Sequence, residues 1–189
     1  MPAMLATSNE EYKKIVDIIK KGYTDKDGRK HAAKPSIAFA IQLEATTGLR
    51  ISDIVKLKLN DIVKEGNRYR LDIREKKTKK KRSFTITEKT YKSIKDFCQM
   101  YGIKNDQVII NKSIRSIQEN ITFAARFLNL ERVNTHSFRK MAAGRVYDLT
   151  NKDIVATSAF LQHSSPSITM RYLTKTSEVL EEALQHMDI

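Results

Sequence analysis

The sequence predicts a mainly α-helical domain with a small three-stranded antiparallel β-sheet. Over most of the chain, apolar residues recur at the three- and four-residue spacing of helices that bury one face. Between residues 61 and 86 the period changes to two, because RYRLDIR places Tyr69, Leu71 and Ile73 on one side and SFTIT alternates in the same way. With 189 residues, 40% of them hydrophobic, the chain can form one domain with a buried core.

The charge of the chain indicates a polyanionic partner. Its formal net charge is +13, and its pI is about 9.8. Residues 1–95 hold 24 Lys and Arg against 12 Asp and Glu, so nearly all of the excess lies in the first half. The longest apolar runs are shorter than a membrane span. A single cysteine, Cys98, is typical of a protein in a reducing compartment. Because Cys98 falls on the apolar stripe of a predicted helix, we expect it to be a small core residue.

The first half is predicted to contain three helices and the sheet. Ser8 to Glu11 has the pattern of a capping box, so a helix should run from there to about Gly22. The polar stretch TDKDGRKHAAK is predicted to be a loop. A second helix, apolar almost all round and therefore central to the core, should run from Pro35 to Gly48. A short helix starting at Ser52 and Asp53 follows, and three strands come after it, the first pair joined at Gly66-Asn67.

The segment REKKTKKKR, residues 74–82, lies between the second and third predicted strands. Seven of its nine residues are basic. A charge run of this kind is most often a solvated hairpin tip. Because it carries much of the charge excess and is held between strands, we favour a basic finger that enters a nucleic-acid groove and contacts phosphates.

From Thr87 onward the chain is predicted to be mainly helical. Helix starts are indicated at five places: Thr87, Ser113, Thr135, Asn151 and Pro166. A final amphipathic helix, SEVLEEALQHM, has four acidic residues between 178 and 188 and no Lys or Arg, so it should avoid DNA.

The segments THSFRK and LQHSSPSITMRYL carry the side chains for chemistry on a phosphodiester. Arginines such as Arg50 and Arg139 can bind the non-bridging oxygens in forked geometry. His136 and His163 can move a proton or donate to the phosphate, and Tyr172 can attack it. A hairpin lysine can protonate the leaving oxygen. Each residue taken alone is more often structural, so the combination in this order carries the prediction. Neither metal-ligand spacing nor a Walker-type phosphate loop is present, so no cofactor is expected.

This order of residues resembles the catalytic domain of the tyrosine recombinases, the phage-integrase family. The resemblance runs from about residue 35 to 175, through TTGLRISDIVKLKLNDI, KKTKKKRSFTI, THSFRK and LQHSSPSITMRYL. It implies that Arg50 and Arg139 hold the scissile phosphate, and that Tyr172 forms a covalent 3′-phosphotyrosine. The implied roles of the histidines are proton transfer for His136 and phosphate binding for His163.

The resemblance also implies that a lysine of the basic hairpin is the general acid. Lys77 matches the family position best, and Lys76 and Lys79 are the alternatives. The other basic residues of the segment are predicted DNA contacts: Lys76, Lys79, Lys80, Lys81 and Arg82. The chain departs from the family pattern at Gln162, which stands where glycine commonly precedes the second histidine. Ser137 and Phe138 also differ from the two residues that the family more usually has inside the His-x-x-Arg motif.

The predicted organisation is a single catalytic domain, residues 1–189, without the N-terminal core-binding domain that family members usually carry. Residues 177–189 would pack on a neighbouring protomer of a homotetramer on double-stranded DNA, or fold back in cis. The predicted location is the cytoplasm of a bacterial or phage-infected cell, in association with the nucleoid.

Three functions fit these residues. A site-specific recombinase or integrase of a mobile element is favoured. A type IB topoisomerase-like enzyme would share the chemistry but relax supercoils without a partner site. A DNA-binding regulator that retains only the fold would form no covalent adduct.

Overall fold

The computed structural model of the chain describes residues 7–74 and 81–173. These residues form two compact units, one ending at Ala142 and the other beginning at Ala143, so the boundary falls inside a helix. In the described ranges the fold is mainly helical with small antiparallel sheets, as the sequence predicts.

The first unit contains five helices and the start of a sixth. They are α1 (Asn9–Lys21), α2 (Pro35–Thr47), α3 (Ile51–Ile54), α4 (Glu88–Met100), α5 (Ile114–Phe127) and α6 (Thr135–Leu149). The capping box at the start of α1 is confirmed. The Ser8 hydroxyl accepts from the Glu11 main-chain N–H at 3.2 Å, and the Glu11 carboxylate accepts from the Ser8 N–H at 2.7 Å. The predicted helix starts at Thr87 and Ser113 are also confirmed, because each hydroxyl accepts from the main-chain N–H three residues later.

Helix α2 is the centre of the hydrophobic core of this unit. Nine of its 13 residues are buried, which is why its sequence is apolar on every side. Phe39 stacks on Phe97 of α4 with ring centroids 4.1 Å apart, and Tyr12 of α1 meets Phe138 of α6 edge-on at 6.2 Å. Cys98 is part of this core, as predicted.

The three-stranded sheet has the predicted antiparallel order. Strands β3 (Ile62–Glu65), β4 (Arg68–Arg74) and β5 (Lys81–Ile86) are antiparallel neighbours, and Leu71 lies opposite Phe84. Leu71 is 1% exposed, which confirms the inward face. The β4–β5 pairing continues to Arg74 and Lys81, so the basic segment connects the two strands.

The loop prediction for residues 24–34 is wrong, because this polar stretch contributes to a two-stranded ribbon. Strand β1 (Tyr23–Thr24) pairs with strand β2 (Lys30–His31), and the Tyr23 ring stacks on the His31 imidazole at 4.5 Å. Asp25 accepts from the His31 ring at 3.0 Å. Strands of two residues leave no alternating pattern, so periodicity could not reveal them.

The second unit contains the rest of α6, then α7 (Ile154–Leu161) and α8 (Pro166–Leu173). Asp153, and not Asn151, is the N-cap of α7, since its carboxylate accepts from two N–H groups, at 2.7 and 3.0 Å. Pro166 begins α8, as predicted. The predicted helix at 177–189 lies outside the described residues.

Within residues 7–74 and 81–173, every helix is too short or too polar to cross a bilayer.

Candidate active site

The turn between α2 and α3 positions Arg50. Gly48 ends α2 in the left-handed conformation (φ 61°, ψ 17°), which glycine adopts without a steric penalty. Its N–H donates to the Glu44 carbonyl at 2.9 Å. Arg50 follows as the N-cap of α3, and its carbonyl accepts from the Asp53 N–H at 2.8 Å. The main chain at Arg50 is therefore fixed on both sides.

Arg139 is held at this same turn. It is only 1% exposed, and its Nη1 donates to the Gly48 carbonyl. The carbonyl end of a helix carries partial negative charge, so the end of α2 is a favourable place for a guanidinium. Since Gly48 precedes Arg50 by two residues, the structure brings both predicted clamp arginines to the turn that ends α2. An arginine this deeply buried is rare unless it is paired.

The first turn of α6 carries His136 and Arg139. Asn134 caps this helix, where the sequence predicted Thr135: the Asn134 side-chain oxygen accepts from the His136 N–H at 2.8 Å. The Ser137 hydroxyl accepts from the Asn134 N–H at 3.2 Å, which completes a reciprocal cap. His136 is exposed and Arg139 is buried, so the turn presents an imidazole outward from a guanidinium anchored in the core.

Two buried carboxyl groups beside these arginines were missed by the sequence analysis. Glu44 is 1% exposed and Asp53 is 5% exposed. Burial raises the pKa of Glu44 well above its usual range, and the charge of Arg139 opposes that rise. The available signal was the position of Glu44, an acid inside a helix that is otherwise apolar.

Asp53 also lines a cleft of about 180 Å³ that extends from α3 to strand β4. Its lining residues are Asp53, Lys56, Leu57, Asp61, Asp72 and Ile73.

In the second unit, His163 is fixed by local contacts. Its Nδ1 lies 2.9 Å from the hydroxyl of Thr169, which is fully buried in α8. The main-chain N–H of His163 donates to the Ser158 carbonyl at 3.1 Å. Gln162 adopts the left-handed conformation (φ 50°, ψ 45°) that glycine favours, so the turn keeps its shape without the glycine.

The remaining predicted residues are described less fully. Tyr172 lies in the last turn of α8, nine residues after His163, and its side chain is outside the description. The predicted acid Lys77 and its neighbours Lys76, Lys79 and Lys80 lie outside the described residues. Lys81 and Arg82 belong to β5, and only their main chain is described. These assignments remain predictions.

The first unit thus holds Arg50 and Arg139 at the end of α2, and His136 lies three residues before Arg139 on α6. Forked guanidinium donors suit the non-bridging oxygens of a phosphodiester, and they neutralise charge that would repel a nucleophile. An exposed histidine three residues from the buried arginine can exchange a proton with a group bound there.

Comparison with known proteins agrees with this arrangement. Residues 6–178 match the model of the Phage integrase family. The chain is 37% identical over 134 residues to a probable integrase/recombinase, YoeC, of Bacillus subtilis, covering 67% of this chain and 71% of that protein. It is 27% identical over 186 residues to tyrosine recombinase XerC of Caldanaerobacter subterraneus, covering 93% of this chain and 48% of XerC.

The fold is also similar to that of solved recombinase structures. The XerH site-specific recombinase bound to a palindromic difH substrate, in a post-cleavage complex, superposes with a TM-score of 0.70 at 22% identity. The match covers 97% of this chain and 53% of that chain. The chain therefore spans about half the length of the XerC and XerH proteins that it resembles.

Proposed function

The chain belongs to the phage integrase family of DNA strand-breaking and rejoining enzymes, and we propose that it is a site-specific recombinase acting on double-stranded DNA for a phage or another mobile element. The observation that carries this proposal is the location of two arginines at one turn. Arg139 is buried and bonded to Gly48, and Arg50 follows Gly48 by two residues. A buried cation is costly, and a requirement to bind an anion accounts for keeping it there.

In the proposed reaction the Tyr172 hydroxyl attacks the scissile phosphorus. A bond forms between the tyrosine oxygen and phosphorus, and the bond from phosphorus to the 5′ oxygen breaks. The products are a 3′-phosphotyrosine and a free 5′-hydroxyl. Attack by the 5′-hydroxyl of another strand reverses these steps and rejoins the DNA, so the energy of the phosphodiester is conserved.

Each remaining residue has one role in this proposal. Arg50 and Arg139 neutralise the charge that develops on the non-bridging oxygens. His136 takes the tyrosine proton, and His163 binds the phosphate. Lys77 gives a proton to the departing 5′ oxygen, so the proton count balances, and Lys76 and Lys79 remain the alternatives.

The proposed partner surface is the basic first half of the chain. Net charge of about +12 over residues 1–95 favours binding to a polyanion and steers its approach. The similarity to XerH, solved on its difH substrate, supports DNA as the ligand. We also propose that residues 177–189 pack between protomers of a homotetramer and that the protein acts at the bacterial nucleoid.

The test uses a pool of duplexes that carry a nick beside a randomised central sequence. Cleavage next to the nick releases a short fragment, which traps the protein on DNA as a species stable in SDS. We expect the wild type to form this adduct and Tyr172→Phe to form none. An adduct with Tyr172→Phe would show that another residue attacks, and its absence from wild type would contradict the proposed activity.

The leaving-group acid is tested with a 5′-bridging phosphorothiolate, whose sulfur needs no proton to depart. Lys76, Lys77 and Lys79 are replaced by alanine one at a time. The variant that lacks the acid should fail on normal DNA and recover on the phosphorothiolate. If every slow variant stays slow on the phosphorothiolate, these lysines bind DNA and do not act as the acid.

Relaxation of supercoiled plasmid DNA separates recombination from topoisomerase activity. A recombinase should relax a plasmid only poorly when that plasmid lacks its recombination site. Efficient relaxation of any plasmid would contradict the site-specific proposal.

A further inference from the structure

Glu44 is an unusual residue to find in the central helix of the core. It lies in the last turn of α2, where the partial negative charge of the helix end disfavours an acid. It is 1% exposed, and its Oε2 atom is buried without a hydrogen-bond partner. A buried carboxyl with an unsatisfied oxygen is costly, and an apolar residue would fill this place at less cost. Residues that lower stability in this way are found most often at functional sites.

The contacts of Glu44 lead to both arginines. Its side chain accepts a hydrogen bond from the main-chain N–H of Ile51, the residue that follows Arg50. It also interacts electrostatically with Arg139. Its own main-chain carbonyl accepts from Gly48, the residue whose carbonyl binds the Arg139 guanidinium. Glu44 is therefore connected to the main chain beside one arginine and to the charge of the other.

We propose that Glu44 is a positioning residue of the proposed recombinase site: its carboxylate holds the Arg139 guanidinium and the Arg50 turn in the geometry that receives the phosphate. This inference rests on the proposed function for its effect on cleavage. Glu44 touches no reacting atom in this proposal and acts only through the two arginines.

The charge of Glu44 has opposite effects on stability and on cleavage. Because burial raises the pKa of Glu44, the unfolded chain releases the proton first as pH rises, and ionised Glu44 lowers the stability of the fold. The same ionised carboxylate attracts Arg139 and restricts its orientation. A residue with a purely structural role would change stability and cleavage in the same direction.

The first measurement follows the Arg139 Nε–H signal by NMR across mildly acidic to mildly alkaline pH. It needs no DNA and no activity. In wild type this signal should shift as Glu44 ionises, and in Glu44→Gln, which keeps an oxygen to accept from Ile51, it should not. An Arg139 signal that behaves identically in both proteins would overturn the inference.

The second measurement is the rate of adduct formation on the nicked duplex pool, in the same pH range. Glu44→Gln should match wild type at acidic pH and become roughly tenfold slower at alkaline pH, as expected from a misplaced catalytic group. At alkaline pH this variant should also be the more stable of the two. Glu44→Asp, which keeps the charge on a shorter side chain, should recover part of the rate.

Glu119→Gln is the matched control, because it removes a carboxylate from the exposed Arg115 ion pair on α5. It should leave the rate at every pH unchanged. A ratio of Glu44→Gln to wild type that stays constant with pH would overturn the positioning role. If wild type itself forms no adduct, the proposed function fails, and the NMR titration still decides whether Glu44 holds Arg139.

Discussion

Arg139 and His163 are fixed in different ways, although both are proposed to bind the same phosphate. The acceptor that binds Arg139 is the carbonyl of Gly48, 91 residues away in the chain. The hydroxyl that binds His163 is that of Thr169, six residues away. The placement of Arg139 therefore depends on the packing of α6 against the end of α2. The placement of His163 depends on one corner between α7 and α8.

This difference predicts which properties a substitution at each residue should change. A change at Arg139 should affect the stability of the first unit together with cleavage. A change at the contact of His163 should affect cleavage with little loss of stability. Substitutions at the two places can confirm or contradict this separation.

The largest effect is expected for Arg139→Ala. It leaves the Gly48 carbonyl and the Glu44 carboxyl buried without their cation, so it should destabilise the fold by about 3–5 kcal/mol, the usual cost of breaking a buried charge pair. Adduct formation should be lost. Equilibrium unfolding in denaturant measures the first effect, and the nicked-duplex assay measures the second.

The control for Arg139 is Arg70→Ala on the sheet. Arg70 pairs with Asp72 and Glu65 near the surface, so its loss should lower the free energy of unfolding far less than the loss of Arg139 does. A similar loss of stability in both variants would contradict the special position of Arg139.

A smaller effect is expected for Thr169→Val. The valine has nearly the same shape but does not bond to Nδ1 of His163, so stability should fall by only about 1 kcal/mol. His163 then loses the contact at Nδ1, and adducts should form roughly tenfold more slowly.

Thr157→Val makes the same change at another buried threonine of this unit, whose hydroxyl donates to the Asp153 carbonyl. Its adduct rate should equal that of wild type. Equal slowing in the two variants would mean that Thr169 acts through general packing and not through His163.

The smallest effect is a gain of stability for Gln162→Gly. Gln162 has φ 50° and a buried side-chain oxygen without a partner. Glycine removes both penalties, so the free energy of unfolding should rise by about 1 kcal/mol. Asn151→Gly, at an exposed position with φ 53°, should gain only a few tenths of that amount, since asparagine tolerates this conformation. A thermal melt compares them, and a loss of stability in Gln162→Gly would contradict this account of the turn.

Local signals in the sequence predicted much of the fold. The capping box at Ser8 and the alternation through Leu71 are short-range patterns, and the structure confirms both. The start of α6 was displaced by one residue because Asn134 and Thr135 are both good caps. The ribbon that carries Tyr23 and His31 was missed because cross-strand stacking is invisible in the sequence.

The candidate site was predictable only in part. The order of Arg50, His136, Arg139, His163 and Tyr172 led to the family, because this combination is specific. The burial of Arg139 and Glu44 could not be predicted, since charged residues are usually exposed and both are buried by tertiary contacts.

The central claim is that Tyr172 becomes covalently bound to DNA. The most direct measurement digests the trapped adduct with protease and nuclease and locates the modified residue by mass spectrometry. The account predicts a nucleotide joined through its 3′ phosphate to Tyr172. Modification of any other residue, such as Tyr147, would contradict it.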